Sequence, residues 1–454
     1  MDYMIGIHIT VIISVLLLIR LAFPRKFGNV PRFILTFIAI ISICATYAHT
    51  LDECRQLARE HYPEIRQYDL VNATEQYNLS NAARAWIPQI KLSAQASYQS
   101  ATPTYPDAFR AFIGANGIEM DGIHKDQYKV SIDITQNIWD GGQSKADKSL
   151  AQAEASEQRS RTDVSLYQLQ SRVDDLYFGI LLLDEKVAQT ITLIEVLESN
   201  LKRVQTCFDN GTAQQSDIDI IEAELLTARQ SLQQVEASRA NYRQMLEIFI
   251  GTNLTHDKLE RPDMNEPTCR VSARPELTLF DAQHRKLDAQ RNMINTSVMP
   301  RFSAFAQGFY GYPGLDMFKS MMSSDWRLDG MIGVKMSWNI GAFYTKNNDL
   351  KKLDIKQQQI DIQRDVFLFN SDLQTSHEDS EITRLRKVID DDDRIVELRH
   401  RVRIAAESQL TNGVIDTTEL LKKISDETIA KLNKSSHEIE LLQATYRLKN
   451  ILNQ

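Results

Sequence analysis

The stretch WIPQIKLSAQASYQ, residues 86–99, ends a helical pattern at Pro88 and then alternates. Ile90, Leu92, Ala94, Ala96 and Tyr98 share one face, while Gln89, Lys91, Ser93, Gln95, Ser97 and Gln99 share the other. Period two with faces of opposite polarity reads as a strand. The same event recurs at Val298-Met299-Pro300-Arg301-Phe302, and Pro63-Glu64-Ile65 likewise recurs as Pro275-Glu276-Leu277, both at an offset of 212 residues. Further on, Asn137-Ile138 with Lys145 parallels Asn339-Ile340 with Lys346, and Arg203-Val204 with Asn210-Gly211 parallels Arg401-Val402 with Asn412-Gly413, at an offset of about 202. Landmarks in one order, with a drift that one shorter loop explains, describe a tandem duplication.

Each half contains a second strand. In the first, Tyr128, Val130, Ile132 and Ile134 alternate with Lys129, Ser131, Asp133 and Thr135. In the second, strands are predicted over about Arg301 to Tyr310 and Met331 to Ile340, the latter setting Ile332, Val334, Met336 and Trp338 against Gly333, Lys335 and Ser337. Two-faced strands of about ten residues fit a membrane β-barrel whose polar face lines water. They also fit a soluble sheet with one face on a core, and the helical context favours the barrel. Four strands cannot close a barrel without edges that a bilayer forbids, so several chains must contribute.

Between Gly142 and Phe208 there is no proline, and the apolar steps of three and four through Leu166, Leu169, Val173, Leu176, Ile180, Leu183, Val187, Thr190, Ile194, Leu197, Leu201, Val204 and Phe208 form a coiled-coil seam. At 1.5 Å per residue that helix is about 100 Å long. Asn210-Gly211 turns the chain, and residues 213–250 return. The return is short by about the length of the helical piece Leu51 to Ala85, which predicts that the two stack end to end. The second half repeats the arrangement: Ala342 to Thr411 runs out, Asn412-Gly413 turns, Val414 to Leu452 returns, and Pro275 to Val298 makes up the length. Its seam, Ile382, Leu385 and Ile389, is interrupted by Asp390 to Asp393, which reads as a solvated face, as a partner for basic groups on a neighbouring element, or as a cation-attracting ring.

Seventeen Gly and 11 Pro in 454 residues favour long uninterrupted elements. A formal net charge of -8 without a large basic block argues against a nucleic-acid partner. Cys44, Cys54, Cys207 and Cys269 form no CxxC or Cys/His cluster and read as structural thiols. Two apolar runs open the chain. Arg32, the stretch Phe33 to Ile43, and Thr46-Tyr47-Ala48 resemble a secretory signal with cleavage before His49, and translation from Val30 would leave residues 1–29 outside the protein. Residues 5–23 are alternatively long enough for a membrane anchor. Lipidation of Cys44 after cleavage is a third reading, which the bulky Ile43 disfavours.

The opening Leu51-Asp52-Glu53 with Ala58 and Pro63-Glu64, the paired Pro88 and Pro300 before strands, Trp139-Asp140-Gly141-Gly142 after one, and the paired Asn-Gly turns resemble the TolC-like outer membrane efflux protein family across the chain after residue 48. The resemblance implies long antiparallel α-helical hairpins forming an α-barrel, with four transmembrane β-strands per protomer in a trimeric twelve-stranded β-barrel. It implies a homotrimeric channel of a tripartite efflux or type I secretion system, in the outer membrane with its helical part in the periplasm, meeting a periplasmic adaptor (membrane fusion protein) and an inner-membrane RND or ABC transporter. A trimeric coiled-coil stalk or adhesin is the competing reading, and it leaves the strands unexplained.

On that resemblance residues 1–48 are extension and signal, 49–265 the first repeat (β-hairpin about 88–139, helical hairpin 142–251) and 266–454 the second (β-hairpin about 300–340, helical hairpin 342–452). It also points to acids shortly after the tip turns. Asp217 and Glu419 fall there, Glu419 as a pore-facing acid and Asp217 as a link or partner-facing group, while Lys422 stands where the family has a second acid. Helix-start carboxylates favoured by the helix dipole are the plainer reading of both. Asn210, Gly211, Asn412 and Gly413 are the expected tip turns. No HExxH, nucleophile elbow or phosphate loop occurs, so neither catalysis nor a cofactor or metal is expected, and His61-Tyr62-Pro63-Glu64 and His437-Glu438 read as incidental.

Overall fold

The computed structural model describes residues 49–115, 117, 122–254, 258–265, 267 and 272–453. The extension, the signal segment, Cys44 and Cys269 lie outside these residues. The described residues separate into two units, one holding 49, 50, 254 and 258–260 and the other the rest. In the smaller, His49 and Leu259 form a parallel bridge, and Glu260 N–H donates to the His49 carbonyl at 3.2 Å.

The larger unit begins with α1 (Leu51–His61), a 3-10 turn (Pro63–Arg66) and α2 (Gln67–Arg84), then β1 (Gln89–Tyr98), α3 (Asp107–Gly114) and β2 (Asp126–Trp139). The long helix α4 (Gln143–Asp209) and its return α5 (Gln215–Ile250) complete the first repeat. The second holds α6 (Pro275–Ser297), β3 (Arg301–Tyr312), α7 (Met317–Met322), β4 (Arg327–Ser337), α8 (Ala342–Thr411) and α9 (Thr417–Leu452). Strand β4 begins four residues before the predicted Met331 and stops before Trp338. The Gly330 and Gly333 positions conceal its start from a pattern count, whereas the ladder to β3 pairs Arg327 with Gly311.

All four strands form one antiparallel sheet in the order β1-β2-β3-β4. Helices α2, α4, α6 and α8 lie side by side beneath it, and towards the tips the order becomes α5, α4, α9, α8. The short helices stack as their lengths require. Gly251 at the end of α5 meets the His61 ring at the end of α1, and Ala273 N–H before α6 donates to the Leu452 carbonyl of α9 at 3.1 Å.

The strand-to-helix elbow at Asp140 explains the first repeat's Asp-Gly-Gly. Asp140 accepts from Gly142 N–H at 2.9 Å and Ser144 N–H at 2.7 Å, capping the orphan donors that open α4. Burial pushes its carboxyl up, but these bonds outweigh it and hold it below the usual value. Gly141 has φ +69°, and a Cβ there would lie 2.7 Å from Met299 Cβ.

Cores are strings of small clusters along the hairpins. Leu197, Leu225 and Ala228 join α4 to α5, while Ile382, Leu385, Leu441, Ala444, Leu448 and Leu452 join α8 to α9. Helix α4, covered on both flanks, buries twenty residues, whereas α8, at the end of the row, buries six. Along α8 the apolar Ile355, Ile362, Val366, Phe369 and Leu373 are more than half exposed.

Candidate functional site

The sheet has two chemically distinct faces. One register row runs Leu92, Ile132, Gly308, Gly330 and the next Ile90, Ile134, Ala306, Ile332, so one face is apolar across the middle of the sheet. Leu92 is 74 % exposed and Ile332 85 %. A contiguous apolar surface of this kind marks a contact with lipid or protein. Rings bracket it at both ends. Trp326 lies 6.1 Å from Tyr128 and 5.3 Å from Tyr310 by ring centroids, and at the helical end Trp139 lies 5.9 Å from Phe302 and Trp338 6.4 Å from Phe343. Aromatic girdles flanking an apolar band are the marks of a membrane strand. No helix among the described residues is long and apolar enough to cross a membrane.

The opposite face is polar. Ser93 and Ser131 hydroxyls bond at 2.9 Å, Gln307 donates to Asp133, and the Lys129 ammonium sits 4.0 Å from the Phe309 ring centroid.

At the other end of the larger unit the two tips share one construction. Gly211 N–H donates to the Phe208 carbonyl and Thr212 N–H to that of Cys207, both at 2.8 Å. Gly413 and Val414 repeat the pattern onto Leu410 and Gln409 at 2.9 Å. This is the Schellman arrangement, with φ +74° at Gly211 and +68° at Gly413. Asn210 and Asn412 side-chain amides donate back to the carbonyls of Thr206 and Ser408 at 2.8 and 2.9 Å.

Asp217 and Glu419 occupy the same place, the third residue of the return helix, and do different work there. Asp217 completes a capping box, accepting from Gln214 N–H at 2.9 Å. In α9 the cap is Asp416, which accepts from Glu419 N–H at 2.7 Å, leaving the exposed Glu419 carboxylate to pair with Lys423 at 3.2 Å. Lys422 is exposed one position earlier than Lys423. The tips meet through Leu410 and Leu421, which pack against both hairpins, and through Arg203 and Glu407 at 3.3 Å.

Above the second tip lies a charge cluster that pattern reading missed. Glu427 is 2 % exposed and holds Arg403, His400 at 3.0 Å and Lys431 at 2.8 Å. Burial pushes its carboxyl up, and the hydrogen bonds from Lys431, His400 and Arg403 override this and hold it below the usual range. The available signal was an acid in a seam position after Leu420 and Ile424. Of the Asp390 to Asp393 run only Asp392 is buried. Asp390 and Asp391 are exposed, while Asp392 bonds His437 at 2.6 Å and Asp393 pairs with Lys434 at 2.5 Å, so the reading as a partner for a neighbouring element holds for the last two. His437-Glu438 is therefore a helix link, with Glu438 reaching Arg261 at 3.0 Å.

Near the base of α1, Arg55 makes two bonds of 2.7 Å to buried Asp174 of α4 and a third of 3.1 Å to Asn450 of α9. Cys54 beside it is fully buried, and burial, with the Glu53 charge, pushes its thiol up to about 12. Among the described residues no cluster of His, Cys, Asp and Glu is placed to hold a metal.

Residues 54–252 match the family model described as Outer membrane efflux protein. No curated protein matches the chain by sequence. The fold is similar to that of the outer membrane protein VceC from Vibrio cholerae, at 13 % identity and TM-score 0.65, covering 88 % of this chain and 95 % of VceC. It is similar also to the CmeC outer membrane channel of Campylobacter jejuni, at 11 % identity and TM-score 0.63, covering 88 % of this chain and 85 % of that one. The MtrE outer membrane channel of Neisseria gonorrhoeae, at 13 % identity and TM-score 0.61, covers 88 % of each chain. The first repeat thus matches the outer membrane efflux protein family, and the fold running through both repeats is similar to that of outer membrane channels.

Proposed function

We propose that the chain is the outer-membrane channel component of a tripartite efflux or type I secretion system, a homotrimer whose strands cross the outer membrane and whose helices extend into the periplasm. One observation carries the trimer: every layer of the larger unit is open on the same two flanks. The sheet ends at β1 and β4, the upper helical row at α2 and α8, and the lower row at α5 and α8. Apolar groups line both flanks, Leu70, Tyr77, Leu226 and Ile248 on one and Ile362, Val366 and Phe369 on the other. Two different edges joining head to tail generate a ring, which removes the edges a bilayer does not tolerate. Three copies give the twelve strands that the family resemblance implies.

The tips are the surface proposed for a periplasmic adaptor coupled to an inner-membrane RND or ABC pump, and Glu419 and Lys422, both exposed beside the second turn, are the proposed entrance charges. Asp217 is proposed as a link or partner-facing group in addition to its cap. Heat-modifiable trimers in an outer-membrane fraction, conducting in planar bilayers, are the expected result, and a soluble monomer in the periplasmic fraction would overturn the proposal. Glu419→Ala channels should differ in conductance from the parent. A crosslinker at Thr212 or Val414 should capture the adaptor.

A further inference from the structure

The register of the sheet assigns every strand side chain to a face, and the polar face is basic. Lys91, Lys129, Arg301, Arg327 and Lys335 stand on it, against Asp133 and Asp329. Asp126, paired with Tyr98, falls on the other face at the loop end. This excess of cations runs against the composition, since the whole chain carries a formal net charge of -8.

Neither acid forms an ion pair with a basic residue of this face, although Asp133 is the cross-strand partner of Lys91. Asp133 accepts from the neutral Gln307, Ser131 and Ser93, and Asp329 accepts Leu315 N–H at 2.8 Å to hold the loop after β3. None of the five basic residues is held in an ion pair with a described acid. Lys129 rests on the Phe309 ring instead, a contact that positions an ammonium without discharging it. Lys91 and Lys335 are exposed on the two edge strands.

We infer that the strand section of the pore favours anionic solutes, with Lys91, Lys129 and Lys335 as specificity-determining residues. Resting on the reading of the sheet as a pore wall, the inference adds the sign of the charge that passes most readily. Rings of like charge in a low-dielectric wall concentrate the counter-ion and repel the co-ion. The charges beside the helical tips, Glu419 paired with Lys423 and the exposed Lys422, belong to a different part of the path.

The test is the reversal potential of the full-length protein in planar bilayers under a potassium chloride gradient. The parent and a Lys91→Gln, Lys335→Gln variant, altered only at exposed edge-strand positions, should both conduct, with the variant's reversal potential shifted toward the potassium side. Lys129→Gln, measured separately, should shift it in the same direction. Conductance in parent and variants with reversal potentials unmoved overturns the inference and leaves the pore standing. Absence of conductance in the parent overturns the pore reading itself.

Discussion

Aligned on their Asn-Gly turns, the two helical hairpins carry different chemistry at one corresponding pair of positions. In the first, Leu201 packs with buried Leu225 between α4 and α5. In the second the same two places hold Arg403 and Glu427. An apolar contact has been exchanged for a buried ion pair with His400 and Lys431 added to it. A duplicated backbone thus supports two kinds of joint. The apolar one buries no charge of its own, and the positions matching His400 and Lys431 hold the ion pair of Glu198 with Arg229 at 2.8 Å. The charged one needs all its members, because a buried charge without its partner is costly while the complete pair contributes little net stability.

The largest effect expected from breaking this contrast is at Glu427. Glu427→Leu, which leaves His400 and Lys431 without their partner and Arg403 with Glu407 alone, should cost about 3–5 kcal/mol in urea unfolding followed by far-UV circular dichroism. Adding Arg403→Leu copies the first hairpin and should recover stability to the parent's level or above it. Failure of the double variant to recover would mean that the cluster does more than fill its space. The acid side gives a second readout. Glu427 has a carboxyl pKa below its ordinary 4.5, so its contribution is complete above that value and is lost as pH falls through the depressed one. The double variant should lose less stability on acidification than the parent.

Next in size is the contrast between a covered long helix and an edge one. Leu197→Ala on α4 removes a side chain with no exposure and should cost about 2–5 kcal/mol. Leu398→Ala on α8, 45 % exposed in one chain, should change protomer unfolding by less than about 1 kcal/mol yet lower the temperature at which oligomers dissociate on gels. An equal loss at both sites would show that the flank of α8 is not an interface.

The elbows after β2 and β4 come third. Gly141→Ala meets positive φ and the Met299 side chain, and should cost about 1–3 kcal/mol. Gly341 has φ -61° and no neighbour nearer than 3.5 Å to an added Cβ, so Gly341→Ala should be neutral or stabilising by up to about 1 kcal/mol. Smallest is the difference expected at the tip turns, where the repeats agree. Gly211→Ala and Gly413→Ala should each cost about 1–2 kcal/mol in thermal unfolding, with similar values because both turns have the same φ and the same two hydrogen bonds.

Much of this was legible in the residues because the signals are local. Period two after Pro88 and Pro300, apolar steps of three and four along α4, and Asn-Gly at positive φ each need only a few neighbours in the chain, and they set the strands, the long helices and the two tips. The duplication then followed from counting. Which flank of each helix is covered, the pairing of Asp392 with His437 and Asp393 with Lys434, the start of β4 at Arg327, and the exchange of Leu201 and Leu225 for Arg403 and Glu427 were decided by tertiary structure. Those contacts join residues 16 or more positions apart, whose meeting depends on the rotation and stagger of packed helices or on strand register, and no periodicity within a single element fixes either.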